Sequence, residues 1–481
     1  MKKLRRFFTF LLVLIVLHGI YHVYKPMWSG LEFEGRDQPS RNVEFINDLT
    51  WVDEKEQRHT DQHIFDSIFS IIKNAKKFVV LDMFLFNDFH GQDSKVERLL
   101  ARQLTDALIA KKKENPDVFI VVVTDPINEV YGALDSPYFE ALGKAGVEVI
   151  TTSLGRLRDS NPIYSAPFRV FINPLGNSDD GWLPNPFGAG KVTLRSYLRI
   201  PNFKANHRKS VIADAGDDWV GLVTSANPHD GSSAHSNVAI KFSGPAAVDL
   251  LRTEMTVMKM SHGQDEYKKL QPILDHAPEW KASDNAELKV QVVTERRIMR
   301  NFLRAMESVG SGSQIDVSMF YLSHRKTINA IELAHDRGAD IRVLLDPNKD
   351  AFGMEKNGIP NRQVAAELMK KNIPVKWCDT HGEQCHSKMV HIRYSDGTSF
   401  LMAGSANFTR RNLEDYNLET DVIVMGPGTQ QVFMDARKFF DRTWKNEPKR
   451  FYSASYEKFA EESDWKTWAY YFMEFTGLSS F

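Results

Sequence analysis

The stretch NHRKSVIADAGDDWVGLVTSAN at Asn206–Asn227 returns in altered form as CHSKMVHIRYSDGTSFLMAGSAN at Cys385–Asn407. Each copy has His-x-Lys, an apolar run, a polar turn containing Gly, a second apolar run and Ser-Ala-Asn. Two apolar runs joined by a short polar turn predict a β-hairpin, which returns the Ser and Asn to the level of the His and Lys. Because residues i and i+2 of a strand share a face, the His and Lys of each copy should lie side by side.

The spacing within the two copies argues against coincidence. One His-x-Lys is weak evidence, but here the distance from His to Ser is eighteen residues in the first copy and nineteen in the second. The alternative is that the hairpins serve only to pack a core. The paired motif favours a shared site built from both copies.

A longer repeat surrounds the hairpins. FIVVVTDPINEVYG at Phe119–Gly132 returns as DIRVLLDPNKDAFG at Asp340–Gly353, and each is flanked by alternating helix and strand patterns. This order predicts an α/β fold of two pseudo-symmetric βαβ halves packed side by side, with mixed, mainly parallel sheets and flanking helices. We place the first half at 40–280 and the second at 286–445, with a polar boundary between them.

An insertion of about forty residues lies in the first half, between residues 151 and 204. Its prolines, glycines and aromatic residues are typical of a structured loop rather than a helix or a flexible linker. It either forms a lid or substrate-entry loop, or decorates the surface.

The N-terminal segment, residues 1–30, predicts a hydrophobic helix. An apolar run from Phe7 to about Tyr24 follows four basic residues, Lys2, Lys3, Arg5 and Arg6. No small-x-small cleavage pattern follows, which favours an uncleaved single-pass membrane anchor over a signal peptide. The basic flank puts the N-terminus in the cytoplasm and the catalytic part outside it. If the segment is cleaved, the protein is secreted.

The remaining composition narrows the class of protein. Lys plus Arg number 61 against 62 Asp plus Glu, so no whole-chain positive field exists to attract a polyanion, and a stable nucleic-acid partner is not expected. Only Cys378 and Cys385 are present, and two unpaired thiols are the simpler interpretation, with a small disulfide loop as the alternative. The aromatic tail at 446–481 either meets a membrane interface or packs back onto the body.

The paired motif suits the chemistry of an anionic phosphodiester. Lys209 and Lys388 would neutralise its non-bridging oxygens, while four polar side chains would orient them: Ser225, Asn227, Ser405 and Asn407. One imidazole can attack phosphorus while the other, protonated, donates to the departing oxygen. No metal or cofactor is required, because the lysines already supply positive charge.

At these residues the sequence resembles the phospholipase D superfamily, whose signature is His-x-Lys-x4-Asp followed by Gly-Ser-x-Asn, present twice per site. The resemblance extends over about residues 45 to 445. It implies that His207 is the nucleophile and His386 the acid, and that Asp214 is the acidic residue of the first motif. It also implies that Glu419, within NLETDVIV, orients a histidine through its second ring nitrogen.

The sequence departs from the signature at three places. Thr224 stands where the second copy has Gly404, and Arg393 stands where the first copy has its motif Asp. In SNVAIKF we take Ala239 as the counterpart of Glu419, so the two histidines should have unequal support.

Two further pairs of side chains have open roles. Asp125 and Asp346 end strands where active sites of α/β folds gather, although a turn-forming Asp before Pro is the simpler explanation. Arg410 and Arg411 either meet a phosphate or face solvent.

The expected function is a phospholipase D-type phosphodiesterase or phosphatidyltransferase that acts on membrane phospholipids through a phosphohistidine. The products would be phosphatidic acid or a transferred phosphatidyl group, including cardiolipin synthesis. Its partners would be the phospholipid, the membrane surface and water or an alcohol, and both motifs in one chain favour a monomer. Alternatives are a nuclease of the same family and an inactive lipid-binding scaffold.

Overall fold

The computed structural model describes residues 1–40, 42–91, 96–178, 180–280, 286–351, 354–461 and 463–479. Gly353 of the second repeat and residues 281–285 of the predicted boundary lie outside these ranges. The strands are β1 Gln38–Ser40, β2 Val43–Val52, β3 Arg58–Asp61, β4 Phe78–Met83, β5 Phe119–Thr124, β6 Glu148–Thr151, β7 Leu183–Pro184, β8 Lys191–Val192, β9 Lys209–Ala215, β10 Asp218–Thr224, β11 Asn237–Ser243, β12 Leu288–Thr294, β13 Gln314–Met319, β14 Asp340–Leu345, β15 Asp350–Ala351, β16 Met354–Glu355, β17 Val375–Cys378, β18 Lys388–Arg393, β19 Thr398–Gly404, β20 Thr420–Pro427 and β21 Ser453–Ala454.

The helices alternate with these strands in both halves. They are α1 Lys2–Tyr24, α2 Ile64–Asn74, α3 Leu100–Glu114, α4 Pro137–Lys144, α5 Pro162–Pro167, α6 Leu194–Arg199, α7 Pro245–Met260, α8 Gln264–Asp275, α9 Arg296–Glu307, α10 Arg325–Asp336, α11 Asn361–Lys370, α12 Arg410–Leu413, α13 Gln431–Lys445 and α14 Asp464–Thr476.

Two large sheets form the body. The first has eight strands in the order β3-β2-β11-β10-β9-β4-β5-β6, and the second has nine in the order β1-β12-β20-β19-β18-β13-β14-β17-β21. Apart from the added edge strands, β2-β11-β10-β9-β4-β5-β6 has the same order as β12-β20-β19-β18-β13-β14-β17. The predicted α/β fold of two pseudo-symmetric halves is therefore confirmed.

The predicted predominance of parallel pairing is wrong. In the described residues parallel pairs of the large sheets are confined to β4-β5-β6 and β13-β14-β17, the strands connected by helical crossovers. The β9-β10 and β18-β19 hairpins pair antiparallel, as short turns require, and each then pairs antiparallel with its neighbours on both sides. Each sheet is therefore antiparallel through its His-x-Lys hairpin and the strands next to it, and parallel among the three strands with helical crossovers.

Packing between the halves is apolar at the centre and includes a fully buried ionic group around Arg208. The ring of Phe45 in β2 lies 5.6 Å from that of Phe439 in α13. The fully buried Arg208 guanidinium lies 2.7 Å from Glu295 of the second half and 3.4 Å from Glu254 of the first. Breaking a buried pair leaves an uncompensated charge, so Arg208 fixes how the halves meet.

The N-terminal helix α1 is, by length and composition alone, long and apolar enough to cross a membrane, with a mean hydropathy of 2.0. Its last turn is held by the insertion: the His22 carbonyl accepts from the Asp159 N–H at 3.0 Å, and the Lys25 carbonyl accepts from Arg158 Nε at 2.8 Å. The insertion, containing α5 and α6, therefore lies where α1 ends.

The tail is only partly separate from the body. Strand β21 adds to the edge of the second sheet, and Phe451 pairs with Val52 of the first half. In α14 the buried Tyr470 donates its hydroxyl to the Ser323 carbonyl at 3.0 Å. The tail therefore packs back onto the body, while one face of α14 remains exposed.

Cys378 and Cys385 form a disulfide, so the expectation of two unpaired thiols is wrong. Both are buried, and their Cα atoms lie 6.1 Å apart. The seven-residue separation closes a small loop that connects the end of β17 to the second His-x-Lys motif. Sequence alone did not reveal that the two strand ends meet.

Asp214 supports the first sheet. Its carboxylate lies in β9 five positions beyond Lys209 and accepts the backbone N–H groups of Lys76, Lys77 and Phe78 at 2.8 to 3.1 Å. It therefore caps the chain where it enters β4, at the end of β9 remote from the motif. The predicted catalytic role of Asp214 is wrong, because its oxygens are occupied by this backbone.

We expect Asp214→Ala to lower the free energy of unfolding by about 3 kcal/mol, because buried N–H groups lose charged acceptors. Chemical denaturation followed by circular dichroism measures this. Asp217→Asn, at the exposed turn of the same hairpin, is the matched control and should stay within about 0.5 kcal/mol of wild type. Wild-type stability in Asp214→Ala would contradict the capping role.

Candidate active site

The two His-x-Lys motifs meet where each half pairs with the other. The His207 N–H donates to the Leu418 carbonyl at 2.9 Å, and the Leu418 N–H donates back to Ala205 at 3.0 Å. The second motif repeats this, because the His386 N–H donates to Ser236 at 2.8 Å. Each motif is thus anchored by a backbone segment of the opposite half: the first motif by the residues before β20, and the second by the residues before β11.

This exchange gives each histidine a partner from the opposite half. Nδ1 of His207 donates to Oε2 of Glu419 at 3.0 Å, and Nδ1 of His386 donates to Oδ1 of Asn237 at 3.2 Å. Glu419 therefore orients His207, and its structural counterpart is Asn237. Taking Ala239 as that counterpart is wrong, because the register places Ala239 opposite Thr224, as Asp421 lies opposite Gly404. The unequal support remains: a carboxylate on one side, an amide on the other.

The two motif serines hold these supporting residues. Ser225 Oγ donates to Asn237 Oδ1 at 2.9 Å, and Ser405 Oγ donates to Glu419 Oε2 at 2.5 Å. Each hydroxyl also accepts a backbone N–H, from Val238 at 3.1 Å or Thr420 at 3.0 Å. A hydroxyl has one proton to donate, so both serines here hold the supporting residues, and their phosphate-binding role stays a prediction.

The replacement of the signature Gly by Thr224 is accompanied by a second difference, at the residue paired with it on the neighbouring strand. At Gly404 a Cβ would overlap the Asp421 side chain, and the Asp421 carboxylate accepts the Ala406 N–H at 3.1 Å. In the first half Thr224 Oγ1 accepts the Ala226 N–H at 3.0 Å, and the residue opposite is Ala239. In each half one side-chain oxygen accepts the N–H of the Ala in Ser-Ala-Asn. It comes from Thr224 in β10 in the first half and from Asp421 in β20 in the second.

The two lysines occupy equivalent places. Lys209 Nζ donates to the His207 carbonyl at 2.5 Å, and Lys388 Nζ donates to the His386 carbonyl at 2.9 Å. Each ammonium lies over a phenylalanine ring, Phe84 at 4.9 Å or Phe320 at 5.2 Å, and both lysines are buried. Cation–π contacts and one carbonyl leave further N–H donors for an anion.

Burial and like charges set the protonation of the site. Burial lowers the pKa of His207 and His386 well below the ordinary value, and the neighbouring lysines lower both further. Burial also lowers the pKa of Lys209 to about 7 and that of Lys388 well below its ordinary value. Burial raises the pKa of Glu419 to about 7. A bound anion would reverse these shifts for the lysines, so the site favours anionic ligands.

Asp125 and Asp346 place the motifs from behind. Asp125 Oδ2 accepts the Asn206 N–H at 2.7 Å, and Asp346 Oδ2 accepts the Cys385 N–H at 2.8 Å. Their other oxygens accept from their own turns, at Ile127 and Asn348. These carboxylates therefore form the turns and also fix the residue directly before each histidine.

Both histidines face one cavity of about 380 Å³ between the halves. Asn227 and Asn407 line it, and Asn407 Oδ1 is buried without a hydrogen-bond partner among the described residues. Aromatic side chains line much of the remaining wall, among them Phe84, Phe89, Phe187, Phe203, Phe320 and Tyr321. A polar end and an apolar wall suit an amphipathic ligand.

The insertion and the C-terminal region complete the cavity wall. Phe187, Phe203 and Lys204 come from the insertion. Arg411 lines the opposite part, lies over Phe203 at 4.9 Å and donates to the carbonyls of Gly477 at 3.4 Å and Ser479 at 2.5 Å. Arg411 is therefore buried between insertion and tail, while Arg410 is partly exposed beside Glu414 at 3.7 Å.

Sequence reasoning missed Asn237, the two ring platforms Phe84 and Phe320, and the anchoring carbonyls of the opposite half. Asn237 follows Ser225 by twelve residues, whereas Glu419 follows Ser405 by fourteen, so the loop-length difference hid the correspondence. The phenylalanines follow Met83 and Met319, the last residues of two equivalent strands. That shared position was an available signal. In the described ranges, no group of three or more His, Cys, Asp or Glu could hold a metal ion.

Comparison with known proteins agrees with this architecture. Residues 302–444 match the family described as "Cardiolipin synthase, PLD-like domain". The chain is similar to phosphatidylserine synthase of Haemophilus influenzae Rd KW20, at 11% identity and a TM-score of 0.53, covering 90% of this chain and 92% of that one. It is also similar to Nuc, a phospholipase D family member from Salmonella typhimurium, at 20% identity and a TM-score of 0.27, covering 33% and 95%. No curated protein matches the sequence.

The family match over the second half and the shared fold with phosphatidylserine synthase confirm the resemblance to the phospholipase D superfamily. The family match is limited to residues 302–444, and the likeness to phosphatidylserine synthase shows a shared fold over 90% of the chain.

The lysine pair predicts pH-dependent anion binding. Inorganic sulfate keeps its charge across neutral pH, whereas Lys209 loses its proton as pH rises through about 7. We therefore expect sulfate affinity, measured by isothermal titration calorimetry, to be greatest below pH 7 and to fall by up to about tenfold per pH unit above it.

Lys209→Met should abolish most of this binding, whereas Lys289→Met, at an exposed position of β12, should retain it. Sulfate affinity that stays constant or rises between pH 6 and 9 would contradict the assignment of the lysines as the anion site.

Proposed function

We propose that this protein is a phospholipase D-type phosphodiesterase or phosphatidyltransferase that acts on membrane phospholipids through a phosphohistidine. The observation that carries the proposal is the cavity that His207 and His386 line from opposite halves, with Lys209 and Lys388 buried two residues beyond them. Its polar end suits a phosphodiester and its aromatic wall suits the apolar part of a lipid.

His207 is the proposed nucleophile, because its Nδ1 donates to the Glu419 carboxylate. That contact leaves the Nε2 lone pair available and stabilises the positive charge that develops as the N–P bond forms. Nε2 attacks phosphorus, and the P–O bond to the leaving alcohol breaks. Lys209 and Lys388 stabilise the charge on the non-bridging oxygens, and Asn227 and Asn407 orient them.

His386 is the proposed acid and then base. The bound phosphodiester anion opposes the effects of burial and the lysines and favours a protonated His386 ring. Its Nδ1 faces the neutral oxygen of Asn237, which stabilises an imidazolium less than a carboxylate would, so its Nε2 proton passes more readily to the leaving oxygen. The neutral ring then removes a proton from water or an alcohol. The resulting oxygen attacks phosphorus, the P–N bond breaks, and His207 is regenerated. No step requires a metal or cofactor.

The proposed location is a membrane, with α1 as a single-pass anchor and the catalytic body outside the cytoplasm. The four basic residues before the apolar run favour a cytoplasmic N-terminus. The Cys378–Cys385 disulfide supports an oxidising compartment for the body. Secretion after signal cleavage is the alternative.

Product analysis tests the function. The full chain is incubated with vesicles of phosphatidylglycerol and phosphatidylcholine, with and without glycerol, and lipids are identified by mass spectrometry. Phosphatidic acid indicates hydrolysis, and a new phosphatidyl ester indicates transfer. His386→Ala should reduce either product about 10³-fold, because proton transfer to the leaving group is lost.

Labelled single-stranded and duplex DNA are incubated in parallel. Cleavage of DNA without any lipid product would contradict the proposal and favour a nuclease. No product from either substrate would favour an inactive scaffold.

A further inference from the structure

The exposed aromatic face of α14 has no partner in the described part of the chain. Trp465, Trp468, Phe472 and Phe475 recur at intervals of three and four residues and lie on one side of the helix. Trp465 is 67% exposed and Phe475 is 86% exposed, and the three leading rings stack at 5.4 to 5.5 Å. Large apolar patches of this kind mark interaction surfaces.

The opposite face of α14 fixes the helix to the body. Tyr470 is buried and donates to Ser323, and the Arg325 guanidinium lies 5.9 Å from the Tyr471 ring. The exposed face is therefore held outward by packing on its other side, rather than by fraying of the terminus.

The insertion, whose helix α5 packs against α1, carries a second set of exposed apolar side chains. They are Ile163, Phe171, Leu175 and Trp182, and Leu175 is 80% exposed. Most follow α5, which packs against α1 so closely that a Cβ at Gly19 would lie 3.2 Å from the Ala166 Cβ. These side chains therefore belong to the segment that receives the anchor helix.

Neighbouring residues of the insertion join α1 and α14. The Asp159 N–H binds the His22 carbonyl at the end of α1. At the next residue, Ser160 Oγ accepts from Arg411 Nε at 3.3 Å, and a side chain at Gly477 would overlap the Ser160 carbonyl. Two adjacent residues of the insertion, Asp159 and Ser160, thus contact the ends of α1 and α14, so the two helices end close together in space.

We propose that the aromatic face of α14 and the exposed apolar side chains of the insertion form a docking surface for the membrane leaflet into which α1 is anchored. The bilayer is the occupant that fits, because Trp, Tyr and Phe side chains favour the membrane interface and α1 ends beside this surface. The proposal rests on membrane insertion of α1, and it does not depend on the identity of the substrate.

Docking would also bring the cavity to the lipid. Arg411 and Phe203 line the cavity, and Arg411 binds the carbonyl of Gly477 directly after α14. The cavity wall is therefore continuous with the junction between insertion and tail. A lipid leaving the leaflet at this surface has a short path to the two histidines.

Tryptophan quenching by brominated lipids tests the surface. The full chain is reconstituted in phosphatidylcholine and phosphatidylglycerol vesicles whose acyl chains carry bromine near the headgroup. Trp182, Trp465 and Trp468 belong to the proposed surface, so bromolipid should quench part of the tryptophan fluorescence. In the double variant Trp465→Phe, Trp468→Phe most of this bromolipid quenching should be lost.

Phe472→Asp with Phe475→Asp keeps the reporters and should remove most of their quenching, because buried charge opposes docking. Met434→Asp, at an exposed apolar position of α13, is the matched control and should leave quenching unchanged. Circular dichroism checks the fold, and resistance to alkaline extraction checks that α1 stays inserted.

Unquenched wild-type protein, or equal quenching of wild type and the double Asp variant, would overturn the proposal. Unquenched fluorescence together with a dimer in detergent that the Asp substitutions dissociate would instead assign the face to a second copy. Because no lipid turnover is measured, either outcome is separate from success or failure of the proposed enzymatic function.

Discussion

The structure depends on a reciprocal backbone pairing between the halves. The segment before His207 pairs with Leu418, and the segment before His386 pairs with Ser236, so neither motif is complete within its own half. Buried backbone groups must be hydrogen-bonded, which makes this pairing costly to break. It follows that each histidine takes its supporting residue from the opposite half, and that the cavity exists only when both halves are packed together.

The two-fold pattern sets the positions of side chains but not their chemistry. Equivalent places hold Lys209 and Lys388 over Phe84 and Phe320, and Glu419 occupies the place in one half that Asn237 takes in the other. A repeated backbone gives both imidazoles the same orientation. The difference between Glu419 and Asn237 then makes the positively charged form of His207 more stable than that of His386, and a nucleophile and an acid require such a difference. The exchange of Thr224 and Ala239 for Gly404 and Asp421 changes residues while keeping the turn.

What the sequence predicted was local. The hairpins, the His-x-Lys faces and the alternation of helix and strand follow from short periodic patterns, and all are present. Long-range relations were not predictable in the same way. Asn237 was missed because its register depends on pairing with the other half, and Asp214 was misassigned because its backbone partners lie about 140 residues earlier. The disulfide likewise depends on two strand ends meeting, which spacing alone did not indicate.

The measurement that tests the account most directly is the location of a trapped phosphoryl group. His386→Ala is treated with a labelled p-nitrophenyl phosphodiester, whose leaving group needs no acid, so the intermediate forms but lacks the base that removes it. The account predicts an acid-labile label on His207, identified by peptide mass spectrometry, and none in His207→Ala. Label on His386 in the His207→Ala protein, or none on either histidine, would contradict it.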